Sequence, residues 1–174
     1  YARISSDKRK LEWLAVRVLL KGLLGGEEKE IVYAPSGKPF LKDGSMRVSF
    51  SHTKGYVAVA IHPNKEVGVD IEQYGERVKK VASRFIHEDE KPSVHVGDEV
   101  YTLLLHWSAK ETMYKLMEEE AVDFAKHLRI HPFVASNTGE LSAIETRTDA
   151  QTRFRIFYET HTDYVLTYAV LSSL

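Results

Sequence analysis

The segment EVGVDIE at residues 66–72 limits the possible folds more than any other part of the chain. Its strict alternation predicts a β-strand with three apolar side chains on one face and Gly68, Asp70 and Glu72 on the other. Two neighbouring carboxylates repel each other unless a positive charge lies between them, so a bound cation is one interpretation. A solvated edge strand is the alternative. The adjacent glycine predicts that a ligand can approach the backbone closely.

Composition narrows the class of protein. With 174 residues, of which 43% are hydrophobic, the chain can bury the core of one domain or of two small halves. The net charge of -1 argues against general nucleic-acid binding. No apolar run approaches the ~18 residues that a membrane-spanning helix requires, and no secretory signal is present. The absence of cysteine fits a reducing compartment, so we expect a cytoplasmic protein without a nucleic-acid or membrane partner.

The first part of the chain has the pattern of an amphipathic helix. Ser5 and Ser6 are candidate N-caps, and apolar residues then recur at helical spacing. The residues predicted to face the core are Leu11, Leu14, Ala15, Val18 and Leu19. Arg9, Trp13 and Arg17 follow at intervals of four along a neighbouring stripe. The two guanidinium groups could hold a phosphate, whereas a solvated helix face is the alternative.

Two polar segments come before the alternating strand. Gly37-Lys38-Pro39 predicts a rigid turn that carries a cation. Ser51-His52-Thr53 ends a predicted strand, and its hydroxyl and imidazole groups could bind phosphate oxygens or have a structural role. Residues 56–61 should then pair with the alternating strand as an antiparallel hairpin. That pairing would bring the hydroxyl and imidazole groups close to the two carboxylates.

Two further helices are predicted after the alternating strand. The first, at residues 77–85, is short and has Val78 and Phe85 on its inward face. Its outer face is basic and includes Lys79 and Lys80. The basic face is either solvated surface or a docking site for an acidic protein.

The second helix is long and is predicted from Gly97-Asp98 to Glu118. Glu111 lies at the border of its apolar face, where an unpaired carboxylate is unfavourable. Lys115 follows four residues later and can pair with it. That intrahelical ion pair is the alternative to a catalytic role for the two residues.

The last third of the chain has the pattern of strands. Runs at residues 128–130, 141–147, 153–158 and 164–171 are rich in β-branched and aromatic residues. The last two runs should form a hairpin. No repeat or flexible linker marks a domain boundary, so a division into halves is placed near residue 75.

These motifs together resemble the 4′-phosphopantetheinyl transferases of the larger, single-chain, surfactin-synthetase-activating type. The resemblance covers most of residues 5–120, including the opening helix. Its most specific part is a Gly-x-Asp-x-Glu strand that is followed, 39 positions from Glu72 to Glu111, by a helix with the pattern aromatic-x-x-Lys-Glu-x-x-x-Lys. The motifs in chain order are Gly37-Lys38-Pro39, Ser51-His52, Gly68-Val69-Asp70-Ile71-Glu72 and Trp107-Ser108-Ala109-Lys110-Glu111 with Lys115.

The resemblance implies an α+β fold. It implies a pseudo-twofold pair of similar halves, residues 1–75 and 76–174, each a small antiparallel sheet packed with helices. The cleft that binds coenzyme A would lie between the halves. A chain that holds both halves need not dimerise, so a monomer is expected.

The resemblance also implies an activity. The 4′-phosphopantetheine group would pass from coenzyme A to a serine of an apo acyl or peptidyl carrier protein, with Mg2+, and adenosine 3′,5′-bisphosphate would leave. The carrier could serve fatty-acid, polyketide, nonribosomal-peptide or siderophore synthesis. Two alternatives remain: an inactive family member that only binds coenzyme A or carrier protein, and a carboxylate-metal phosphohydrolase that acts on nucleotides.

Site residues are implied in the same way. Mg2+ favours oxygen ligands, so Asp70, Glu72 and Glu111 would hold it. Asp70, Glu111 and Lys115 would be catalytic: Glu111 or a metal-ordered water would take the serine proton, and Lys115 would neutralise or protonate the leaving group. The implied coenzyme A contacts are Lys110 at the phosphate oxygens, Ser51 and His52 with Arg9 or Arg17 around the 3′-phosphate, and Lys38 and Pro39 beside the adenine.

Overall fold

The fold combines antiparallel sheets with helices, which confirms the predicted α+β class. It was determined as a computed structural model, which describes residues 6–92, 98–117 and 121–171. The helices are α1 (Asp7–Leu23), α2 (Arg77–Val81), α3 (Glu99–Leu116) and α4 (Phe124–His127), with a 3-10 turn at Ala82–Arg84. The strands are β1 (Ile31–Tyr33), β2 (Pro39–Leu41), β3 (Arg47–Thr53), β4 (Tyr56–His62), β5 (Val67–Gln73), β6 (Leu128–Ile130), β7 (Thr138–Glu145), β8 (Arg153–Thr160) and β9 (Tyr164–Val170).

Helix α1 begins directly after Ser6, as the sequence predicts, but its predicted inward face is wrong. Leu11 and Val18 are 68% and 69% exposed. The helix instead buries Leu20, which packs with the inner residues of β1, β2 and β3. Periodicity identifies an apolar stripe, but the position of the neighbouring sheet decides which row of the helix is covered. The second predicted N-cap, Ser5, lies outside the described residues.

The alternating segment forms β5, but its predicted hairpin partner is wrong. Strand β4 pairs with β3, and β5 pairs with β9 at the edge of a five-stranded antiparallel sheet of order β5-β9-β8-β7-β6. Side chains of β3 satisfy the other edge of β5. The hydroxyl oxygens of Ser49, Ser51 and Thr53 accept hydrogen bonds from the backbone N–H groups of Val69, Ile71 and Gln73 at 3.1, 3.3 and 3.2 Å.

Helix α3 packs across β5 and β9 and forms the main core with them. Its predicted start is confirmed at Asp98, whose side chain accepts a hydrogen bond from Val100 N–H at 2.8 Å. Gly68 lets the helix come close, because a Cβ at that position would lie 2.7 Å from the Thr112 carbonyl oxygen. The space beside this glycine is therefore filled by α3 and not by a ligand. The predicted helix boundaries at Gly97 and Glu118 lie outside the described residues.

The elements after β5 agree with the sequence except at their ends and for one short helix. The predicted β8–β9 hairpin is confirmed. Helix α2 is shorter than the predicted helix at 77–85, because the chain tightens into the 3-10 turn, although Val78 and Phe85 are buried as predicted. The short helix α4 was not predicted, and Asp123 caps it by accepting from Ala125 N–H and Lys126 N–H.

The predicted division near residue 75 and the pseudo-twofold symmetry stay predictions. Strand β5 precedes that boundary, yet it pairs with β9, which follows it. None of the helices in the described part of the chain is long and apolar enough to cross a membrane.

Candidate active site

Asp70 is the central residue of the candidate site. It lies on the face of β5 that points towards α3, and it is buried. Its Oδ1 accepts hydrogen bonds from Lys115 Nζ at 2.7 Å and from Ser51 Oγ at 2.8 Å. Its Oδ2 is also buried, and it has no hydrogen-bond partner among the residues that the structure describes. A buried carboxylate oxygen without a hydrogen-bond donor is unfavourable, so a cation that bound there would stabilise it.

Glu72 and Glu111 lie beside Asp70, one on the same strand and one on α3. Burial raises the pKa of Glu72 to about 7, and the negative charges of Asp70 and Glu111 add to the shift. Burial likewise raises the pKa of Glu111 to about 7, and the charge of Asp70 adds to it. Asp70 is therefore close enough to both glutamates for its charge to oppose their ionisation.

The three carboxylates do not form a closed metal centre in this conformation. Across residues 6–92, 98–117 and 121–171, no group of three or more His, Cys, Asp or Glu side chains is arranged to hold a metal ion. One carboxylate oxygen is already bonded to protein donors, since Lys115 and Ser51 contact Asp70. The chemistry of the donors nevertheless suits Mg2+, which prefers oxygen ligands and would relieve the mutual repulsion. The metal assignment stays a prediction.

Lys115 extends from α3 to β5. In addition to Asp70, its Nζ donates to the Val69 carbonyl oxygen at 2.9 Å. The alternative of an intrahelical pair with Glu111 is thus not the contact that Lys115 makes, although its positive charge still lowers the pKa of Glu111. The ion pair joins the two elements that carry the carboxylates.

Trp107 orients Glu72, a role that the sequence did not reveal. Its Nε1–H donates to Glu72 Oε1 at 2.7 Å. The rings of Phe85 and Phe124 both contact the indole, with centroid distances of 5.3 and 5.5 Å. An aromatic residue with a polar edge suits this position because one side contacts the core and the other meets a carboxylate.

Three buried hydroxyl groups fix α3 against β9, and they too were missed. Thr167 Oγ1 lies 2.9 Å from Ser108 Oγ and 2.7 Å from Thr112 Oγ1. Thr167 is the register partner of Asp70 in the neighbouring strand. The hydroxyl cluster therefore sets the position of α3, and with it Glu111, relative to the carboxylates of β5.

The predicted contacts of the 3′-phosphate separate in the structure. The hydroxyl of Ser51 is buried and is used by Asp70 and by Ile71 N–H, so it does not face a ligand. His52 points the opposite way, as alternation along a strand requires, and its Nε2 lies 3.5 Å from Glu12 Oε2 on α1. Arg9 precedes Glu12 by one turn and so shares that face of α1.

Arg17 lies about two turns further along α1 than Arg9. Its guanidinium stacks on the Trp13 ring, 3.3 Å from the centroid, and donates to the Trp13 carbonyl oxygen at 3.1 Å. Burial lowers the pKa of Arg17, and a hydrogen bond with Tyr33 opposes that shift. Of the two predicted arginines, the position of Arg9 fits a site beside His52 and that of Arg17 does not.

Lys38 and Pro39 lie at the opposite end of β5 from Glu72. Gly37 permits the turn before them by adopting φ of 87°, which L-residues rarely adopt. Lys38 Nζ pairs with Glu66 Oε2 at 2.8 Å, and the same carboxylate binds Arg47 Nε at 3.0 Å. Lys38 is therefore ion-paired within the protein.

Lys110 does not occupy the predicted position at phosphate oxygens. Its side chain is 0% exposed and pairs with Glu90. Helical spacing indicates a buried position, because residue 110 lies on the same face as Leu103 and Met113, both of which are buried. A lysine there needs a buried acidic partner, and Glu90 was missed because it lies in a segment without regular periodicity.

A groove of about 760 Å³ opens beside Glu111. Trp107 and Glu111 lie at its α3 side, and the 3-10 turn forms one wall with Ser83 and Arg84. Residues 121–126 form a second wall. The groove places an open volume next to one of the three carboxylates.

The antiparallel sheets and the helices define an α+β protein. Its clustered carboxylates lie where β5 meets α3. The 4′-phosphopantetheinyl transferase superfamily matches residues 66–169, which include both elements. The chain therefore belongs to that superfamily.

A relative of stated activity is also similar to this chain. The 4′-phosphopantetheinyl transferase gsp of Aneurinibacillus migulanus is 32% identical over 107 residues. The match covers 59% of this chain and 44% of that protein, so the chain spans less than half of the relative's length.

Proposed function

We propose that the protein transfers the 4′-phosphopantetheine group of coenzyme A to a serine hydroxyl of an apo acyl or peptidyl carrier protein. The reaction would depend on Mg2+ and release adenosine 3′,5′-bisphosphate. The observation that carries the proposal is the buried Asp70, which is bonded to Lys115 and whose charge acts on both Glu72 and Glu111. Membership of the superfamily and the named relative support it.

This group of side chains suits the chemistry of the transfer. A serine oxygen attacks a phosphorus atom of the pyrophosphate, and negative charge then spreads onto the leaving phosphate. Catalysis therefore needs fixed positive charge at the leaving group and a base at the attacking hydroxyl. Lys115 supplies the first and Glu111 the second.

The carboxylate set would hold the divalent ion. Asp70 has a buried oxygen without a donor among the described residues, and burial together with the charge of Asp70 opposes ionisation of Glu72 and Glu111, so the residues fit a small cation. When bound, Mg2+ would supply Lewis acidity at the pyrophosphate oxygens. Because Lys115 and Trp107 already bond to two of the carboxylates, we expect side chains to rearrange on binding.

Glu111 is the proposed base. It borders the groove into which a carrier serine could enter, and its raised pKa of about 7 matches a group that accepts a proton near neutral pH. Lys115 would lie against the departing phosphate and neutralise or protonate it. A water ordered at the carboxylates remains the alternative base.

Other residues would bind the rest of coenzyme A. His52 with Arg9 on α1 would contact the 3′-phosphate, and Lys38 with Pro39 would lie beside the adenine after Lys38 leaves Glu66. The basic face of α2, with Lys79 and Lys80, would attract an acidic carrier. We also propose that halves near residues 1–75 and 76–174 enclose the coenzyme within a monomer.

One assay tests the proposal. The protein is incubated with Mg2+, coenzyme A and a purified apo carrier protein, and the carrier is weighed by mass spectrometry. A phosphopantetheine adduct is expected, and a carrier with its acceptor serine changed to alanine must stay unmodified. An unchanged carrier with bound coenzyme A would indicate a binding protein. Hydrolysed coenzyme A without an adduct would indicate a phosphohydrolase.

A further inference from the structure

Lys110, the residue before Glu111, forms a buried ion pair with Glu90. The side chains of Lys110 and Glu90 are 0% and 3% exposed. Lys110 Nζ lies 2.7 Å from Glu90 Oε2, 2.5 Å from the Phe85 carbonyl oxygen and 3.2 Å from the Phe124 carbonyl oxygen. An ammonium group has three protons, and each has an acceptor here.

Glu90 is held equally firmly. Its Oε1 accepts from Ile130 N–H at 2.6 Å, and its Oε2 accepts from His87 N–H at 2.6 Å. The pair therefore joins the helix α3 to the turn after α2, to the start of α4 and to β6. These segments are not neighbours in the sequence, and no other described contact between charged side chains connects as many of them.

The joined segments form the walls of the groove beside Glu111. Phe85 directly follows the 3-10 turn that makes one wall, and Phe124 belongs to the second wall at residues 121–126. One ammonium group thus binds the backbone of both walls. Because Lys110 directly precedes Glu111 in α3, the same side chain fixes the walls relative to the proposed base.

A buried ion pair is not generally needed for folding. Apolar residues of similar volume often replace a buried ion pair without loss of stability, whereas removal of one partner is strongly destabilising. We infer that Glu90 and Lys110 are positioning residues, which hold the two walls at the separation that lets the acceptor serine reach Glu111. This inference rests on the proposed function. It differs from a coenzyme contact by Lys110, because the ammonium group is buried and has no free proton.

The test compares variants of the full 174-residue chain. The double variant Glu90→Leu/Lys110→Met removes both charges and keeps an apolar core, so it stays folded even where Lys110→Met alone does not. Its fold is checked by a cooperative thermal transition. Its transfer rate is measured with an apo acyl carrier protein, and its affinity for coenzyme A is measured by calorimetry. Glu145→Gln is the matched control, because Glu145 is another buried carboxylate bonded to backbone N–H groups, of Arg147, Thr148 and Thr152.

We expect the double variant to lose about tenfold or more in kcat, since small displacements of a reacting group are costly, while its affinity for coenzyme A is unchanged. Glu145→Gln should lose stability and keep its transfer rate. A folded double variant with the wild-type rate would overturn the inference. So would a parallel loss of coenzyme A affinity, or an equal loss of rate in Glu145→Gln. If the wild-type protein makes no adduct at all, the proposed function itself fails.

Discussion

Lys115 on α3 and Asp70 on β5 form an ion pair of 2.7 Å that joins the helix and the strand of the candidate site. The two residues are 45 positions apart. Asp70 lies in the middle of β5, and Lys115 lies near the end of α3. The pair leaves Asp70 Oδ2 buried without a donor among the described residues. The site is thus partly neutralised by the protein and keeps capacity for a further cation.

Substitution of Lys115 should separate charge neutralisation from folding. Lys115→Met is expected to lower kcat by about 10²-fold or more, because positive charge at the leaving phosphate is lost. It should also lower the melting temperature, since Asp70 then stays buried with one donor fewer. A cycle with Asp70→Asn measures the coupling, and the double variant should recover stability without activity. Full stability of Lys115→Met would argue against the pairing.

Glu111→Gln is expected to lower kcat by about 10²-fold or more, because the amide cannot accept the serine proton. The metal-free protein should be no less stable, since the change removes a charge that Asp70 opposes. The rate of phosphopantetheine transfer and the melting temperature are measured for each variant. Glu88→Gln, on an exposed side chain outside the site, is the control and should behave as wild type. Retained activity in Glu111→Gln would exclude this residue as base and as metal ligand.

Stability of the metal-free protein should fall as the pH rises. Glu72 and Glu111 have a pKa of about 7 in the folded protein against 4.5 ordinarily, so the folded state binds their protons more tightly than the unfolded chain does. This advantage is complete below pH 4.5 and is lost as the pH rises through about 7. Thermal melts across that range should show the decline.

Mg2+ should oppose this decline because it favours the ionised carboxylates. The rise in melting temperature on adding Mg2+ is expected to be larger at about pH 8 than at about pH 5. The double variant Glu72→Gln/Glu111→Gln should lose both the slope and the response. An equal Mg2+ effect at both pH values would show that the ion binds elsewhere.

Gly68→Ala should destabilise the protein by about 1–3 kcal/mol, because the added Cβ would lie 2.7 Å from the backbone oxygen of Thr112. Urea unfolding measures the loss, and transfer should fall as α3 moves away from β5. Gly22→Ala is the matched control, since nothing lies within 4 Å of its Cβ position in helix α1. That variant should gain about 0.5–1 kcal/mol from helix propensity. Equal effects of the two substitutions would contradict the close approach.

Charge reversal on α2 tests the proposed docking face. Lys79→Glu with Lys80→Glu should raise KM for the carrier protein several-fold and leave coenzyme A affinity unchanged, because rim charges act mainly on encounter with a charged partner. The control Lys42→Glu with Lys65→Glu makes the same change in net charge on other exposed lysines. If both pairs of changes have the same effect, overall charge and not the α2 face is responsible.

Local patterns were sufficient for most elements and for the central carboxylates. Alternation in the 66–72 segment placed Asp70 and Glu72 on one face, and helical spacing placed Glu111 and Lys115 along one helix. These features follow from backbone geometry within a few residues. The motif spacing also indicated the family that the superfamily match shows.

The sequence could not identify which side chains and strands contact one another. It could not show that Ser51 serves Asp70, that Lys110 meets Glu90, or that α1 leaves Leu11 exposed. The pairing of β5 with β9, and not β4, depends on which distant segment covers each strand edge.

By itself, then, the sequence determined most of the strands and helices, the order of the motifs and the acidic face of β5. Only the tertiary structure decided which side chains neutralise one another and which face the groove. The physical reason is range: periodicity reflects contacts between residues two to four apart, whereas burial and ion pairing depend on segments brought together by packing of the whole core.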